Sequence, residues 1–260
     1  MTTKVEKETP GTAVERALGI LEAVAARSAG MSNADLSRRL EIPKSSASYI
    51  LRALEKHGYV RRDDGGKYRL GMKVLSLSRN ALTGLDVREV ALPVMRELVN
   101  RSHLTVHLAI LDGDEAVYIE KVDSPGFIKM DTWVGKRMEI HTTAVGKALA
   151  AFEPEEKIQR IVRDRGLRRV TPKSITSVQR FAKELDRVRE AGYGIDDEEN
   201  SLGVRCLGAP IFNEDDRVEA AIGMSATLSQ VPKDAVPRYV EMVKDAARKV
   251  SVQLGWRGKR

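Results

Sequence analysis

The sequence predicts an α+β protein in two parts, a small, basic, mainly helical N-terminal part and a larger C-terminal part in which strand pairs alternate with helices. Three observations carry this prediction. Within residues 12–71, two apolar stripes at helical spacing, each opened by a capping residue, are followed by a third helix and a glycine-centred hairpin. Runs with a period of two begin only at Leu104. Residues 1–80 hold 15 Lys and Arg against 9 Asp and Glu, whereas the rest of the chain holds 29 against 28, so nearly all of the net charge of +7 lies in the first third. That is the footprint of a segment that meets a polyanion.

Composition bounds the rest. With 260 residues, 42% of them hydrophobic and 31% charged, the chain is in the range of a folded protein of two domains. No apolar run approaches the roughly 18 residues of a membrane span. Met1 to Pro10 is polar and lacks the apolar segment of a signal peptide, so a cytoplasmic location and no membrane partner are expected. Cys206 is the only cysteine, which excludes an intramolecular disulfide, a thiolate zinc cluster and an iron–sulfur centre. No cofactor and no metal are expected.

Thr12 and Glu15 form a capping box, and Val14, Ala17, Leu18, Leu21, Val24 and Ala25 follow at helical spacing until Gly30 ends the pattern. Ser32 with Asp35 repeats the cap before a short helix carrying Ala34, Leu36 and Leu40. Glu41-Ile42-Pro43 breaks it, and a third helix starts at Pro43 or Lys44. At 100° per residue its Ala47, Ile50, Leu51 and Leu54 share one face, while Ser45, Tyr49, Arg52 and Lys56 share the opposite one. Lys44, Ser45, Ser46, Ser48, Tyr49 and Arg52 place short hydroxyls, an aromatic ring and two cations near a helix N-terminus. Such residues suit phosphate and base-edge contacts in a major groove. Two short strands, Tyr59 to Arg62 and Lys67 to Gly71, flank Asp63-Asp64-Gly65-Gly66. Arg62, Lys67 and Arg69 stand beside the tip of this hairpin, where they would reach flanking phosphates or a minor groove. Elements in this order describe a winged helix-turn-helix DNA-binding domain over residues 12–71.

From Met72 the pattern is helical again. Val74, Leu75, Ser78, Ala81, Leu82 and Leu85 share a side, Asp86 offers a new cap, and Val87, Val90, Ala91, Val94, Met95, Leu98 and Val99 continue the stripe, with a kink or restart expected at Pro93. A connector over 72–85 has little fold of its own to bury such a stripe, which predicts self-association into a homodimer or homotetramer and two wings offered to a pseudo-palindromic site.

The second domain is expected over 86–255. Leu104, Val106, Leu108 and Ile110 alternate with Thr105, His107, Ala109 and Leu111, and Asp112-Gly113-Asp114 turns the chain into Val117-Tyr118-Ile119. Further strands are predicted near 127–133, 203–212 and 218–226, with helices near 143–152, 155–165, 177–191 and 232–254. Catalysis has weak support: Cys206 with His103, His107 or His141 offers a nucleophile and a base, and Asp196-Asp197-Glu198-Glu199 with a histidine offers a metal site, but neither has the spacing of a known catalytic motif. The acidic run reads better as a solvated loop or a ligand-orienting turn. His107 is expected in a hydrogen-bonded surface role, and His141 and Trp133 in packing.

Ile42-Pro43-Lys44-Ser45, Leu54 to Val60, His141 to Ala148, and Gly192 to Glu199 running into Gly203-Val204-Arg205-Cys206 together resemble the IclR family of bacterial transcriptional regulators, from about Ala13 to Val252. The resemblance implies a GAF-like C-terminal domain with an antiparallel sheet that binds a small organic, sugar or aromatic acid, in a dimer or tetramer on operator DNA. It places a hydrophobic patch at Phe127, Met130, Met138 and Val204, carboxylate-binding amides at Ala144 and Val145, and polar contacts at Asp196, Cys206 and Ser225. Gly223 stands where some members have serine, and Ala144 where glycine is frequent. Together with the large apolar side chains, this disfavours a two-carbon or three-carbon keto acid. Lys147 and Arg205 would add charge or simply be solvated. The expected function is an effector-responsive DNA-binding transcriptional regulator, a repressor by default. An activator or dual regulator, a Cys206-dependent enzyme and a dimerising scaffold are the alternatives.

Overall fold

Helix α1 (Ala13–Ala25) begins at its sequence-encoded cap: Thr12 Oγ1 accepts the Glu15 N–H at 3.2 Å while the Glu15 carboxylate accepts the Thr12 N–H. Helix α2 (Asn33–Arg39) starts at Ser32, whose Oγ accepts the Asp35 N–H. Helix α3 (Lys44–Lys56) follows a turn in which Glu41 takes a φ of 52°, in the left-handed region. Ile20, Val24, Leu36, Ala47, Leu51 and Val60 close the core between the three helices and the hairpin of β1 (Val60–Arg62) and β2 (Tyr68–Leu70). The structure is a computed structural model and describes residues 12–82 and 86–258; the chain divides into two compact units, Met1–Gly84 and Leu85–Arg260. Leu85, and the side chains of Ala81, Leu82 and Asp86, lie outside the described residues, as does the polar segment Met1 to Pro10.

The apolar stripe after Met72 divides at this boundary. On α4 (Lys73–Leu82), in the first unit, Leu75 and Leu77 are exposed, as is Met72 just before it. On α5 (Asp86–Ser102), in the second unit, Val87, Ala91, Val94, Met95, Leu98 and Val99 are buried. Self-association is therefore not needed to cover the second half of the stripe, because the unit's own sheet and last helix cover it. Helix α5 runs through Pro93 without a restart.

The second unit is built on a six-stranded, wholly antiparallel sheet in the order β5-β4-β3-β8-β7-β6. Its strands are β3 (Thr105–Asp112), β4 (Glu115–Val122), β5 (Arg137–Met138), β6 (Gly194–Asp197), β7 (Val204–Phe212) and β8 (Val218–Thr227). Helix α5 and the last helix, α9 (Val236–Gln253), pack together against one face, and α6 (Ala144–Ala150) lies on the other, followed by α7 (Glu155–Arg165) and α8 (Val178–Ala191). Residues 127–133, expected as a strand, are irregular. Lys121 Nζ takes the carbonyls of Met130 and Thr132 at 3.0 and 2.8 Å, so these groups are satisfied by a side chain in place of a neighbouring strand.

One feature of the sheet places α6. Gly194, Gly208 and Gly223 are register partners across β6, β7 and β8. A Cβ on Gly208 would lie 2.9 Å from Ala144 C and Val145 N, and one on Gly223 would lie 2.6 Å from Val145 Cγ1. The row of missing side chains lets the backbone of α6 rest directly on the sheet. Gly223, read from the sequence as a lost hydroxyl, is thus a seat for Val145.

Candidate functional site

Two residues along each strand from the glycine row, on the same face, come Asp196, Cys206 and Ser225, again register partners. Their side chains bound one wall of a cavity of about 330 Å³ beside the first turn of α6. Met130, Met138, Ala144, Val145 and Val204 complete the expected lining. Phe127 does not take part: its side chain is fully exposed, because residues 127–133 form an irregular segment and not a strand that would turn it inward.

The sequence reading missed His107, Tyr118, Lys129, Thr132, Lys136 and Asn200, all of which line the cavity. His107, expected at the surface, is 1% exposed. Its parity was legible, since it shares a strand face with Thr105 and Ala109, but β3 lies inside a sheet covered on both sides, so its less apolar face meets the cavity and not water. The ring stacks on Tyr118 with centroids 4.4 Å apart, Nε2 lies 2.7 Å from Thr132 Oγ1, and Nδ1 lies 3.4 Å from Ser225 Oγ. Burial, reinforced by the charge of Lys121, pulls its pKa down to about 3, so the imidazole is neutral.

Asp196 is 2% exposed, and its Oδ1 accepts the N–H groups of Glu199 and Asn200 at 2.7 and 3.1 Å. Burial outweighs these two bonds and pushes its carboxyl up to about 7. The remaining carboxylates of the acidic run each have a cation: Asp197 pairs with Arg205 at 2.7 Å, Glu198 with Lys173, and Glu199 with Lys147 at 2.6 Å. The run is therefore the end of β6 and the turn after it, closed by ion pairs. Among the described residues no group of three or more His, Cys, Asp or Glu is placed to hold a metal.

Lys147 and Arg205 are not solvated. Lys147 is fully buried between α6, α8 and β6, where Nζ also reaches Ile195 O at 2.7 Å and Glu184 Oε1 at 3.4 Å. Arg205 is 4% exposed and also donates to Val231 O at 2.5 Å. Both charges serve the fold around the cavity. Burial, with the nearby Asp196 charge, pushes the Cys206 thiol up, and its Sγ lies 3.3 Å from Ser225 Oγ. A thiol held in its protonated form is a poor nucleophile. His141 donates its Nε2–H to Arg168 O, 2.9 Å away, and packs edge-on to Phe181, the packing role expected of it. Trp133, by contrast, is 54% exposed.

At the first turn of α6, Thr143 Oγ1 accepts the Gly146 N–H at 3.2 Å and Thr143 O accepts the Lys147 N–H at 3.0 Å. Ala144 and Val145 come earlier in the turn and have no residue of the helix four positions before them to accept their N–H groups.

In the first unit, Lys44, Ser45, Tyr49 and Arg52 are exposed on one face of α3, with Ser46 and Ser48 half-buried. Tyr49 is 71% exposed, a large aromatic that the core leaves in solvent. On the hairpin, Lys67 is exposed and the Arg62 guanidinium lies 5.8 Å from the centre of the Tyr68 ring. Arg69 differs: Nε donates to Asp63 Oδ2 at 3.1 Å and the guanidinium also donates to the Ser28 carbonyl.

Comparison with known proteins agrees with both units. The IclR helix-turn-helix domain matches residues 13–64, and the bacterial transcriptional regulator IclR C-terminal domain matches residues 79–252. The chain is 34% identical over 244 residues to the HTH-type transcriptional regulator XynR of Escherichia coli, covering 94% of this chain and 97% of that one. It is 32% identical to the HTH-type transcriptional repressor AllR of the same species, covering 94% and 90%. Among solved structures, an IclR homolog from Microbacterium hydrocarbonoxydans complexed with 4-hydroxybenzoate superposes with a TM-score of 0.82 at 25% identity, covering 94% of this chain and 99% of that one. An exposed polar helix face after a helix-turn, a hairpin beside it, and an antiparallel domain carrying its own cavity are thus the parts of a known kind of protein: the chain belongs to the IclR family, and is a DNA-binding transcriptional regulator and not an enzyme.

Proposed function

We propose that this regulator is a repressor whose affinity for operator DNA is set by a small organic acid bound in the cavity of the second unit. The observation that carries the reading is the cavity's composition. Apolar walls from Met130, Met138, Val145 and Val204 face a polar row of His107, Asp196, Cys206 and Ser225. Few polar groups converging in a mainly apolar pocket are what orients a small ligand. Lys129 and Lys136 in the lining and the amides of Ala144 and Val145 favour an acid. A sugar acid or an aromatic acid fits the volume and the mixture of groups, and 4-hydroxybenzoate, held by the Microbacterium protein, belongs in the test set. The apolar lining and the seat that Gly223 makes for Val145 speak against the smallest keto acids.

Lys44, Ser45, Ser46, Ser48, Tyr49 and Arg52 would read the major groove, and Arg62 and Lys67 would hold flanking phosphates. The exposed Met72, Leu75 and Leu77 support a homodimer formed through the 72–85 segment, or a homotetramer built from such dimers. Ligand acts by favouring one arrangement of the paired DNA-binding units, since equal affinity for both would shift nothing. Repression follows the relative named as a repressor.

A thermal-shift screen of the full chain tests the effector reading, using sugar acids, aliphatic keto and hydroxy acids, and aromatic acids including 4-hydroxybenzoate. Selective binding raises the melting temperature with concentration. The expected hit is lost in Asp196→Ala. A hit that persists in that variant moves the ligand out of this cavity, and silence across all three classes rejects the proposed ligand class.

A further inference from the structure

The wing carries four cationic side chains, Arg61, Arg62, Lys67 and Arg69, and charge alone would assign all of them to DNA. Their surroundings separate Arg69 from the rest. It projects from β2, and its guanidinium spans two groups of its own unit, Asp63 at the start of the hairpin turn and the Ser28 carbonyl in the loop between α1 and α2. Asp63 is shared further. Its Oδ1 accepts the Lys67 N–H at 2.9 Å, while its backbone N–H donates to Lys67 O at 2.8 Å and its carbonyl accepts the Gly66 N–H at 2.9 Å. One carboxylate thus closes the turn that presents Lys67 and holds the arginine that anchors the turn.

The anchor point is built to receive the wing. Met31 and Tyr68 exchange backbone hydrogen bonds at 3.0 and 2.8 Å, adding a third strand position to the hairpin. Next to it, Gly30 has a φ of 73°, and a Cβ there would lie 3.0 Å from Tyr68 O and 3.1 Å from Arg69 Cγ. The stem of Arg69 therefore lies over a glycine that makes room for it. Bonds from Lys67 and Arg69 hold the Asp63 carboxyl below the usual carboxylate range, so it stays charged wherever the protein is folded near neutral pH.

We infer that Arg69 and Asp63 are positioning residues of the DNA-binding unit, a brace that fixes the wing to the α1–α2 loop and so sets where Arg62 and Lys67 meet the DNA backbone. Arg69 is then not itself a phosphate contact, in contrast to the expectation from sequence. The two roles give opposite signs for Asp63. If Arg69 holds a phosphate, Asp63 competes with the DNA for it and adds repulsion, and Asp63→Ala tightens binding. If the pair is a brace, removing Asp63 weakens binding even though a negative charge has left the interface.

The experiment compares Asp63→Ala, Arg69→Ala and the double variant in the full chain. The DNA is the tightest duplex selected from a random-sequence library by the wild-type protein, titrated over a range of salt and footprinted with hydroxyl radicals. The brace predicts losses of about tenfold for either single variant, as expected when one or two phosphate contacts are misplaced. It also predicts a double variant no weaker than the singles, and protection lost over the flanks but kept over the central groove. Loss of protection over the whole site would overturn the inference, because the pair would then hold the unit as a whole and not the wing; Arg69→Lys separates a brace from a phosphate contact, since lysine keeps the charge but cannot span both partners and so stays weakened under a brace. Tighter binding by Asp63→Ala, or an Arg69→Ala loss that Arg69→Lys restores together with one unit of salt slope, would overturn the inference.

Discussion

Replacing Gly208 by alanine probes the feature on which the cavity stands. Strand propensity alone predicts a gain, because glycine inside a strand costs about 0.5–1 kcal/mol relative to alanine. The tertiary structure predicts the opposite sign. The new Cβ would sit 2.9 Å from Ala144 C and Val145 N and 3.0 Å from Ala144 O, all of them backbone atoms that no rotamer change can move. Helix α6 must lift as a body, and overpacking of this kind costs about 1–3 kcal/mol. Contact with three backbone atoms argues for the upper half of that range. For a domain of this size each kcal/mol lowers the melting temperature by about 2–4 °C, so a drop of about 4–12 °C is expected by calorimetry or circular dichroism of the full chain. Gly113→Ala is the control, because nothing lies within 4 Å of its Cβ position and only the φ of 62° is strained; it should cost about 1–2 kcal/mol without touching the cavity. Ligand stabilisation should disappear in Gly208→Ala and survive in Gly113→Ala. A Gly208→Ala protein that melts at or above the wild-type temperature would refute the claim that α6 rests on the glycine row.

Three further outcomes follow from named groups. Burial raises Asp196 from its ordinary value of 3.8 to about 7, so the native state keeps a proton that the unfolded chain releases between those values. Its contribution to stability is complete below about pH 4 and is lost as the pH rises through 7. Asp196→Asn, which stays neutral, should therefore gain on the wild type as the pH rises from about 4 to about 7 in urea unfolding, and parallel pH profiles would show that the group titrates normally. Lys147→Met leaves Glu199 buried without its cation and should destabilise by about 3–5 kcal/mol, with Lys147→Met/Glu199→Gln recovering much of the loss; a single variant within about 1 kcal/mol of wild type would mean that the pair is solvated. Arg52→Ala should weaken selected DNA by about tenfold or more with little change on random duplex, whereas Lys67→Ala should weaken both and lower the salt slope by about one. Equal losses on both DNAs for Arg52→Ala would remove it from base readout.

Most of the first unit was legible because its signals are local. A cap at Thr12 or Ser32 needs only the next three residues, and the faces of α3 follow from the helical repeat. Glu41 gave no such signal: a glutamate at a positive φ is visible only once α2 and α3 are packed. In the second unit α6 to α9 lie close to their expected spans, but residues 127–133 look like a strand until the Lys121 side chain takes their carbonyls. The pocket residues on strands, Asp196, Cys206 and Ser225, were placed by resemblance, whereas His107 was misread because its burial depends on what covers the sheet.

Spacing along the chain is enough to show where helices begin, which face of α3 is polar, which strands alternate, and that the excess charge lies in the first unit. Packing is needed to see that Lys147 and Arg205 are buried and ion-paired, that α5 fills the core while Leu75 and Leu77 stay exposed, and that Arg69 is tied to Asp63 and Ser28. The reason is common to all of them. The state of a charged or apolar side chain depends on which distant segment lies against it, and around the cavity that is set by strand register and by three glycines that let one helix approach the sheet.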